Sequence, residues 1–257
     1  MSPTATANAN ATSGRIGKTV PGVARVVGNG FSGLRFSEEM FDGRMAPLLV
    51  VDHFVMTSPT FEPRLHTGIS AVTAMFEDSE GRFLNRDTLG HNIVLKGGDL
   101  YWLAAASGAV HEVRPQDGGR AHALQIFVDL PARLKTEPAR ALHVHAEDAP
   151  VIDGKGHRVR VLVGRCGKTV GEEGTPEEMT MLDGFLEHQG RFTHPMPDER
   201  QAWIYAVAGE IDIRIEREER PLKAGSATTI AAGAATDIVL QASEPAHFVL
   251  MAARPIR

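Results

Sequence analysis

The feature that most constrains the fold is a series of short segments in which apolar and polar residues alternate, separated by Gly, Pro and Asn. In residues 211–216, three isoleucines alternate with charged residues. Successive side chains of an extended strand point to opposite faces, so this segment predicts a strand with one buried and one solvated face. Residues 122–128 and 158–163 have the length and composition of further strands. Many short strands separated by turns predict an all-β fold of sandwich or barrel type.

The strand-rich segments fall into two blocks, residues 21–130 and residues 157–257. The intervening residues 131–156 are largely polar and predict a linker. Residues 1–20 are rich in Ala, Thr, Asn and Gly, which predicts a disordered tail. A chain of 257 residues can bury a substantial core as one large domain or two compact ones. Two β-barrels in tandem explain the two blocks better than one large sheet does.

Composition argues against several classes of protein. A formal net charge of −5 without a clustered basic run is unlike a surface that binds nucleic acid or an anionic membrane. No apolar stretch reaches the length of about 18 residues that a transmembrane helix needs. Cys166 is the single cysteine, so no internal disulfide can form, and this fits a reducing compartment. We therefore expect a soluble, cytoplasmic protein, with a monomer as the expected state.

Several segments resemble the pirin family of bicupin proteins, over roughly residues 20–257. The residues that carry this resemblance are 51–54, 64–68, 87–90, 98–102, 107–111 and 124–131. The resemblance implies two tandem cupin barrels, of jelly-roll type. In that family the N-terminal barrel typically holds one iron through three histidines and one glutamate, and the second barrel usually has no metal. Some members resemble quercetin 2,3-dioxygenases and cleave flavonols, and others regulate transcription in a redox-sensitive way.

The chain departs from the family at two of the four ligand positions. The family's first ligand segment usually reads His-Pro-His-Arg-Gly and its second ends in Gly-Ile-Val-His-Ser-Glu, whereas this chain has Arg64 and Val113 at the first and last ligand positions. The resemblance leaves His66 and His111 as metal ligands. Glu112 is a doubtful third ligand, because on a regular strand it points away from His111. Only a β-bulge near residues 110–113 would turn it inward.

Arg64 is the main objection to a metal. A guanidinium offers only donors and stays charged, so it cannot ligate a cation. At 4 Å from a divalent ion the repulsion is about 8 kcal/mol at an effective dielectric of 20. If the side chain stays in the site, Arg64, His66 and a protonated His111 would instead favour a carboxylate or phosphate.

Three functions remain open from the sequence. The first is a metal-dependent dioxygenase of the quercetin 2,3-dioxygenase type, holding one divalent transition metal, iron by resemblance, at His66 and His111. The second is a non-enzymatic pirin-like protein that binds a partner or regulates. The third is a metal-free cupin that binds a small anionic ligand through Arg64, His66 and His111.

The remaining histidines are expected to have structural roles. We expect His53, His91 and His122 to be packing residues, and His143 and His145 to lie in a solvated loop. Trp102 is expected in the core.

Overall fold

The computed structural model describes residues 14–256, and within this range almost every regular element is a β-strand. Three short 3-10 helices, Glu38–Phe41, Ala132–Leu134 and Ala146–Asp148, interrupt the strands. No helix in the described range is long and apolar enough to cross a membrane. The prediction of an all-β fold is confirmed.

The N-terminal barrel contains ten strands, and the short strand β1 (Val20–Pro21) precedes it in the chain. The ten are β2 (Val23–Val27), β3 (Phe31–Ser37), β4 (Leu48–Met56), β5 (Arg64–His66), β6 (Ile69–Met75), β7 (Glu80–Asp87), β8 (Asn92–Leu95), β9 (Leu100–Ala104), β10 (Ala109–Asp129) and β11 (Arg140–Val144). One sheet has the order β11-β9-β6-β10-β4-β3-β2, and the first half of β10 pairs instead with β5 and β7. Strand β10 therefore belongs to both walls of the barrel.

The C-terminal barrel is built in the same way from two sheets. Its strands are β12 (Val151–Gly154), β13 (His157–Val163), β14 (Arg165–Cys166), β15 (Thr169–Val170), β16 (Met179–Leu186), β17 (Arg191–Met196), β18 (Gln201–Ala208), β19 (Glu210–Ile215), β20 (Glu218–Lys223), β21 (Ser226–Ile230), β22 (Thr236–Gln241) and β23 (Ala246–Ala253). A seven-stranded sheet has the order β1-β21-β18-β23-β16-β13-β12, and a four-stranded sheet has the order β17-β22-β19-β20. The two-barrel architecture expected from the sequence is thus present.

The structure differs from the sequence-based expectation at the edges of the barrels. Residues 14–20, expected to belong to a tail, lie against the C-terminal barrel, where Ile16 is buried and bridges to Ile230. Residues 1–13 of that expected tail lie outside the described range. The segment 131–156, expected to be a linker, supplies β11 to one barrel and β12 to the other.

A third apolar core lies between the barrels, in addition to one core inside each. On β18 the side chains of Trp203 and Tyr205 belong to this shared core, while Ile204 packs inside the C-terminal barrel. Phe36 of the N-terminal barrel meets Trp203 and Tyr205 with ring centroids 5.5 and 5.1 Å away. Trp102 is buried in the same core, as expected. Because successive side chains of a strand point to opposite faces, one sheet contributes residues to two different cores.

A buried ion pair fixes how the barrels meet. Arg160 is 1% exposed and lies 3.4 Å from a carboxylate oxygen of Asp183, which also lies 2.6 Å from His247. The Nη2 of Arg160 donates a hydrogen bond of 2.5 Å to the carbonyl oxygen of Gly98 in the other barrel. Burying these charges is tolerable because each has a partner, and the hydrogen bond from Arg160 to Gly98 joins the two barrels.

A second polar contact between the barrels runs through two histidines that the sequence analysis treats as packing residues. The Nδ1 of His53 lies 2.5 Å from the Tyr205 hydroxyl, and its Nε2 lies 2.7 Å from the Nε2 of His122. The Nδ1 of His122 in turn lies 2.7 Å from Asp78 at the surface. Burial, with a smaller contribution from His122, lowers the pKa of His53 to about 3. His53 is therefore neutral in the folded protein at pH 7.

Loss of the large side chain between the barrels tests whether they unfold together. Trp203→Ala should lower the free energy of unfolding by roughly 3–5 kcal/mol, because it removes a fully buried indole. Denaturation should remain a single transition in urea, since the shared core couples the barrels. Val26→Ala, at a 74% exposed position, is the control and should change little. Two separate transitions in the wild type would contradict the coupling.

Buried neutral histidines predict loss of stability in mild acid. Burial lowers the pKa to about 3 for His53 and to about 4 for His111 and His194. Between about pH 4 and 6.5 these histidines are protonated in the unfolded chain but remain neutral in the folded protein. The free energy of unfolding therefore falls as the pH falls through this range. Well below pH 6.5 each ring contributes up to about 1.4 kcal/mol per pH unit. Urea midpoints at pH 7, 6 and 5 measure this slope, and His194→Asn should make it shallower. Equal slopes in the wild type and the variant would rule out His194 as a source.

Candidate functional site

Antiparallel pairing brings the predicted site residues together in the N-terminal barrel. Strand β5 pairs with the start of β10, which places Arg64 opposite His111 and His66 opposite Ala109. The imidazole rings of His66 and His111 have centroids 5.0 Å apart, with 65° between their planes. The two histidines that match the family's ligand positions therefore face each other, although they are 45 residues apart in the chain.

These histidines line a cavity of about 90 Å³ that is open to solvent. Four phenylalanines, one methionine and one valine form its apolar wall: Phe31, Phe54, Phe61, Phe127, Met56 and Val113. Its polar lining comprises Arg25, Arg35, Asp52, Glu62, Arg64, His66, His111, Glu112 and Gln125. Aromatic walls with a few convergent polar groups are typical of sites for small organic ligands.

Both imidazoles are neutral at pH 7. Burial, and then the neighbouring His66, lower the pKa of His111 to about 4. Burial, and then the charge of Arg64, also lower the pKa of His66. The Nδ1 of His111 is buried without a hydrogen-bond partner. The expectation of a protonated His111 is therefore wrong, because the barrel interior disfavours the imidazolium.

Arg64 lies at the exposed mouth of the cavity. Its guanidinium carbon is 4.5 Å from the centroid of the Phe61 ring, which is a cation–π contact. The side chain thus has a stable position on the aromatic wall while its charge still acts on His66.

Two further arginines share one buried carboxylate on the opposite wall. Arg35 binds Asp52 in a bidentate manner, with distances of 2.7 and 2.6 Å, and Arg25 lies 3.1 Å from the same carboxylate. Two positive charges face one negative charge in this group, and Glu62 and Glu112 supply the carboxylates that balance the three arginines of the whole lining. Neither arginine was predicted from the sequence, because the strand pairing that joins them to Asp52 is not visible there.

Glu112 lines the cavity but does not join His66 and His111 in one set of metal ligands. The ladder between β10 and β7 is regular from His111 to Gln116, and its register shifts only between Gln116 and Arg120. The bulge at residues 110–113 that Glu112 would need is absent from this ladder. The carboxylate of Glu112 lies 3.9 Å from Arg86, its neighbour across the ladder. Glu112 as a third metal ligand therefore lacks structural support.

Asp87 is a carboxylate near His111 that the sequence analysis missed. It lies opposite His111 across the ladder, its side chain is fully buried, and it accepts a hydrogen bond from the Tyr101 hydroxyl. Its other oxygen accepts from the backbone N–H of Leu89 and of His91, at 2.9 and 3.1 Å. Burial alone would raise the pKa of Asp87, but hydrogen bonds from Tyr101 and His91 outweigh it and lower the pKa. His91, expected to be a packing residue, thus helps to hold this anion in place.

The cavity does not fit the iron site that the family resemblance implies. Two neutral imidazoles are suitable ligands, since a metal needs the unprotonated ring. Within residues 14–256, however, no carboxylate lies close enough to His66 and His111 to bind the same ion. The three side chains in this range that could share one ion lie outside the cavity. Arg64 and Val113 occupy the remaining two positions.

Comparison with known proteins agrees with this architecture. Residues 30–128 match the sequence profile of the Pirin family. Human Pirin is 25% identical over 212 residues, which is 82% of this chain and 72% of Pirin. A pirin-like protein of Arabidopsis thaliana is 31% identical over 180 residues, which is 68% of this chain and 56% of the relative.

Solved structures share the complete fold. Quercetin 2,3-dioxygenase from Acinetobacter baumannii has a TM-score of 0.80 at 23% identity and covers 94% of this chain and 87% of its own. The bacterial pirin YhhW of Escherichia coli, in complex with nickel(II), has a TM-score of 0.70 at 16% identity. The match covers 91% of this chain and 96% of YhhW. At these identities the structural likeness shows the fold alone. The sequence matches identify the chain as a member of the pirin family.

Proposed function

We propose that the N-terminal barrel binds a small organic anion with a planar apolar body, and that it does so without a resident metal. The observation that carries this proposal is Arg64, a fixed positive charge at the position of a metal ligand, beside two neutral imidazoles and an aromatic wall. In this account the chain is a pirin-like binding protein. Its ligand is a carboxylate or a phenolate rather than a free metal ion.

The cavity offers each part of such a ligand a matching surface. Arg64 pairs with the anionic group, and a guanidinium–carboxylate pair is roughly twice as strong as a neutral hydrogen bond. A ring that buries about 200 Å² of apolar surface against the phenylalanines gains about 5 kcal/mol before ordering costs.

A metal-dependent dioxygenase is the second candidate function. The neutral imidazoles of His66 and His111 and the likeness to a solved quercetin 2,3-dioxygenase favour it. Such a site would need ligand atoms from water or substrate to complete the coordination of the metal. It would also have to tolerate the charge of Arg64.

Replacement of the mouth arginine tests the binding proposal. Arg64→Met should weaken binding of 2-naphthoate at least about tenfold, because a charge-assisted hydrogen bond worth about 1.5–3 kcal/mol is lost. Isothermal titration calorimetry of metal-stripped protein measures this change. Arg120→Met removes a charge from β10 outside the cavity lining and should leave the affinity unchanged. Equal weakening in both variants would show that only overall charge matters.

Oxygen consumption separates the two candidate functions. Protein supplied with Fe²⁺ or Ni²⁺ and quercetin should consume oxygen no faster than the His66→Ala/His111→Ala double variant does. An oxygen electrode, with metal and quercetin alone as the blank, gives the comparison. Turnover that disappears in the double variant would establish the dioxygenase and overturn the metal-free proposal.

A further inference from the structure

Three metal-ligating side chains converge at one end of β9, outside the cavity of the N-terminal barrel. Asp99 immediately precedes β9, and His143 lies on β11 opposite Tyr101 of β9. His145 follows two residues later, at the start of a 3-10 helix. One donor atom from each of Asp99, His143 and His145 lies within 4.8 Å of the other two. The expectation of a solvated loop is wrong for His143, which is part of a paired strand.

The carboxylate of Asp99 is held in place before any ion arrives. Asp99 is 2% exposed, and its two oxygens accept hydrogen bonds from the backbone N–H groups of Lys96 and Ala146, at 3.1 and 2.9 Å. A carboxylate fixed by two backbone hydrogen bonds is a ready anionic ligand.

The two imidazoles complete a set of donors at the right separation. The Nε2 of His143 lies 3.1 Å from Oδ2 of Asp99. Two ligands 2.0 Å from a tetrahedral zinc are about 3.3 Å apart, so these atoms need little movement. The rings of His143 and His145 have centroids 4.1 Å apart, and His145 is exposed, so it can turn without disturbing the core.

The charges around this cluster favour a cation. Glu147 and Asp148 occupy the first turn of the 3-10 helix that begins after His145. The positive charge of Arg160 lies near the cluster, because its guanidinium donates a hydrogen bond to the carbonyl oxygen of Gly98. The carboxylates of Asp183, at 3.4 Å, and Glu77, at 3.8 Å, compensate this charge.

We propose that Asp99, His143 and His145 form a binding site for a divalent transition metal, with Zn²⁺ as the best match. Two histidines and one carboxylate form a donor set that zinc accepts, and they leave a fourth position for water. The ion would tie β11 and the segment between the barrels to the start of β9. Because metal binds the folded chain, it should also stabilise it.

Zinc titration with single-site variants tests this site. Metal-stripped full-length protein is titrated with Zn²⁺ by isothermal titration calorimetry, in parallel with His145→Ala, His143→Asn, His66→Ala and Glu147→Gln. His145 is exposed, so its loss should not affect folding. We expect His145→Ala and His143→Asn to weaken zinc binding at least tenfold, since even loss of a supporting partner costs about 10–100-fold. His66→Ala and Glu147→Gln should bind zinc as the wild type does.

A spectrum of the cobalt-substituted protein gives an independent readout. Co²⁺ should show the visible bands of a four-coordinate site in the wild type and in His66→Ala, but not in His145→Ala. Zinc binding that survives in His145→Ala and His143→Asn but disappears in His66→Ala would place the metal in the cavity and overturn the proposal. Equal binding in all variants, or no binding in the wild type, would overturn it as well. Neither result depends on whether the cavity binds an organic anion.

Discussion

The antiparallel pairing of β10 is the interaction on which both the cavity and the joint between the barrels depend. The first half of this 21-residue strand pairs with β5 and β7 and carries His111. Its second half pairs with β4 and β6, where alternate residues divide between the two sides of the sheet. Gln125 and Phe127 line the cavity, whereas Leu124 and Ile126 pack in the core between the barrels. A shift of one residue in this register would exchange the two sets.

The position of the charges, not their sum, distinguishes this cavity from a metal site. A metal site collects neutral or anionic donors around a cation, whereas here the guanidinium of Arg64 lies on the Phe61 ring beside His66, and the three arginines of the lining match its three carboxylates in number. The neutral histidines are compatible with either occupant, because burial, their mutual proximity and the charge of Arg64 lower their pKa values. The charge of Arg64 beside His66 is thus the main argument against a metal in this cavity. The site at Asp99, His143 and His145 has the opposite character, with acidic neighbours and compensated cations.

The sequence predicts those properties that depend on local pattern. Alternating residues in segments such as 211–216 predict strands, and the spacing of Arg64 and His66 predicts that both lie on one strand face. Properties that depend on pairing between distant strands are not predictable in this way. The hydrogen bond between His53 and His122, 69 residues apart, and the position of Asp87 beside His111 are examples. Flanking acidic residues made His143 resemble a loop residue, yet β11 is a strand because β9 offers it a partner.

The central claim, that the cavity has no resident metal, is tested most directly by elemental mass spectrometry of the purified His145→Ala variant. Removal of the second candidate site leaves the cavity as the place to look for tightly bound iron, nickel, copper or zinc. The account predicts far less than one equivalent of these metals per chain, unchanged when His66→Ala is added. Close to one equivalent, lost on addition of His66→Ala, would show that two histidines hold a metal despite Arg64 and would contradict the account.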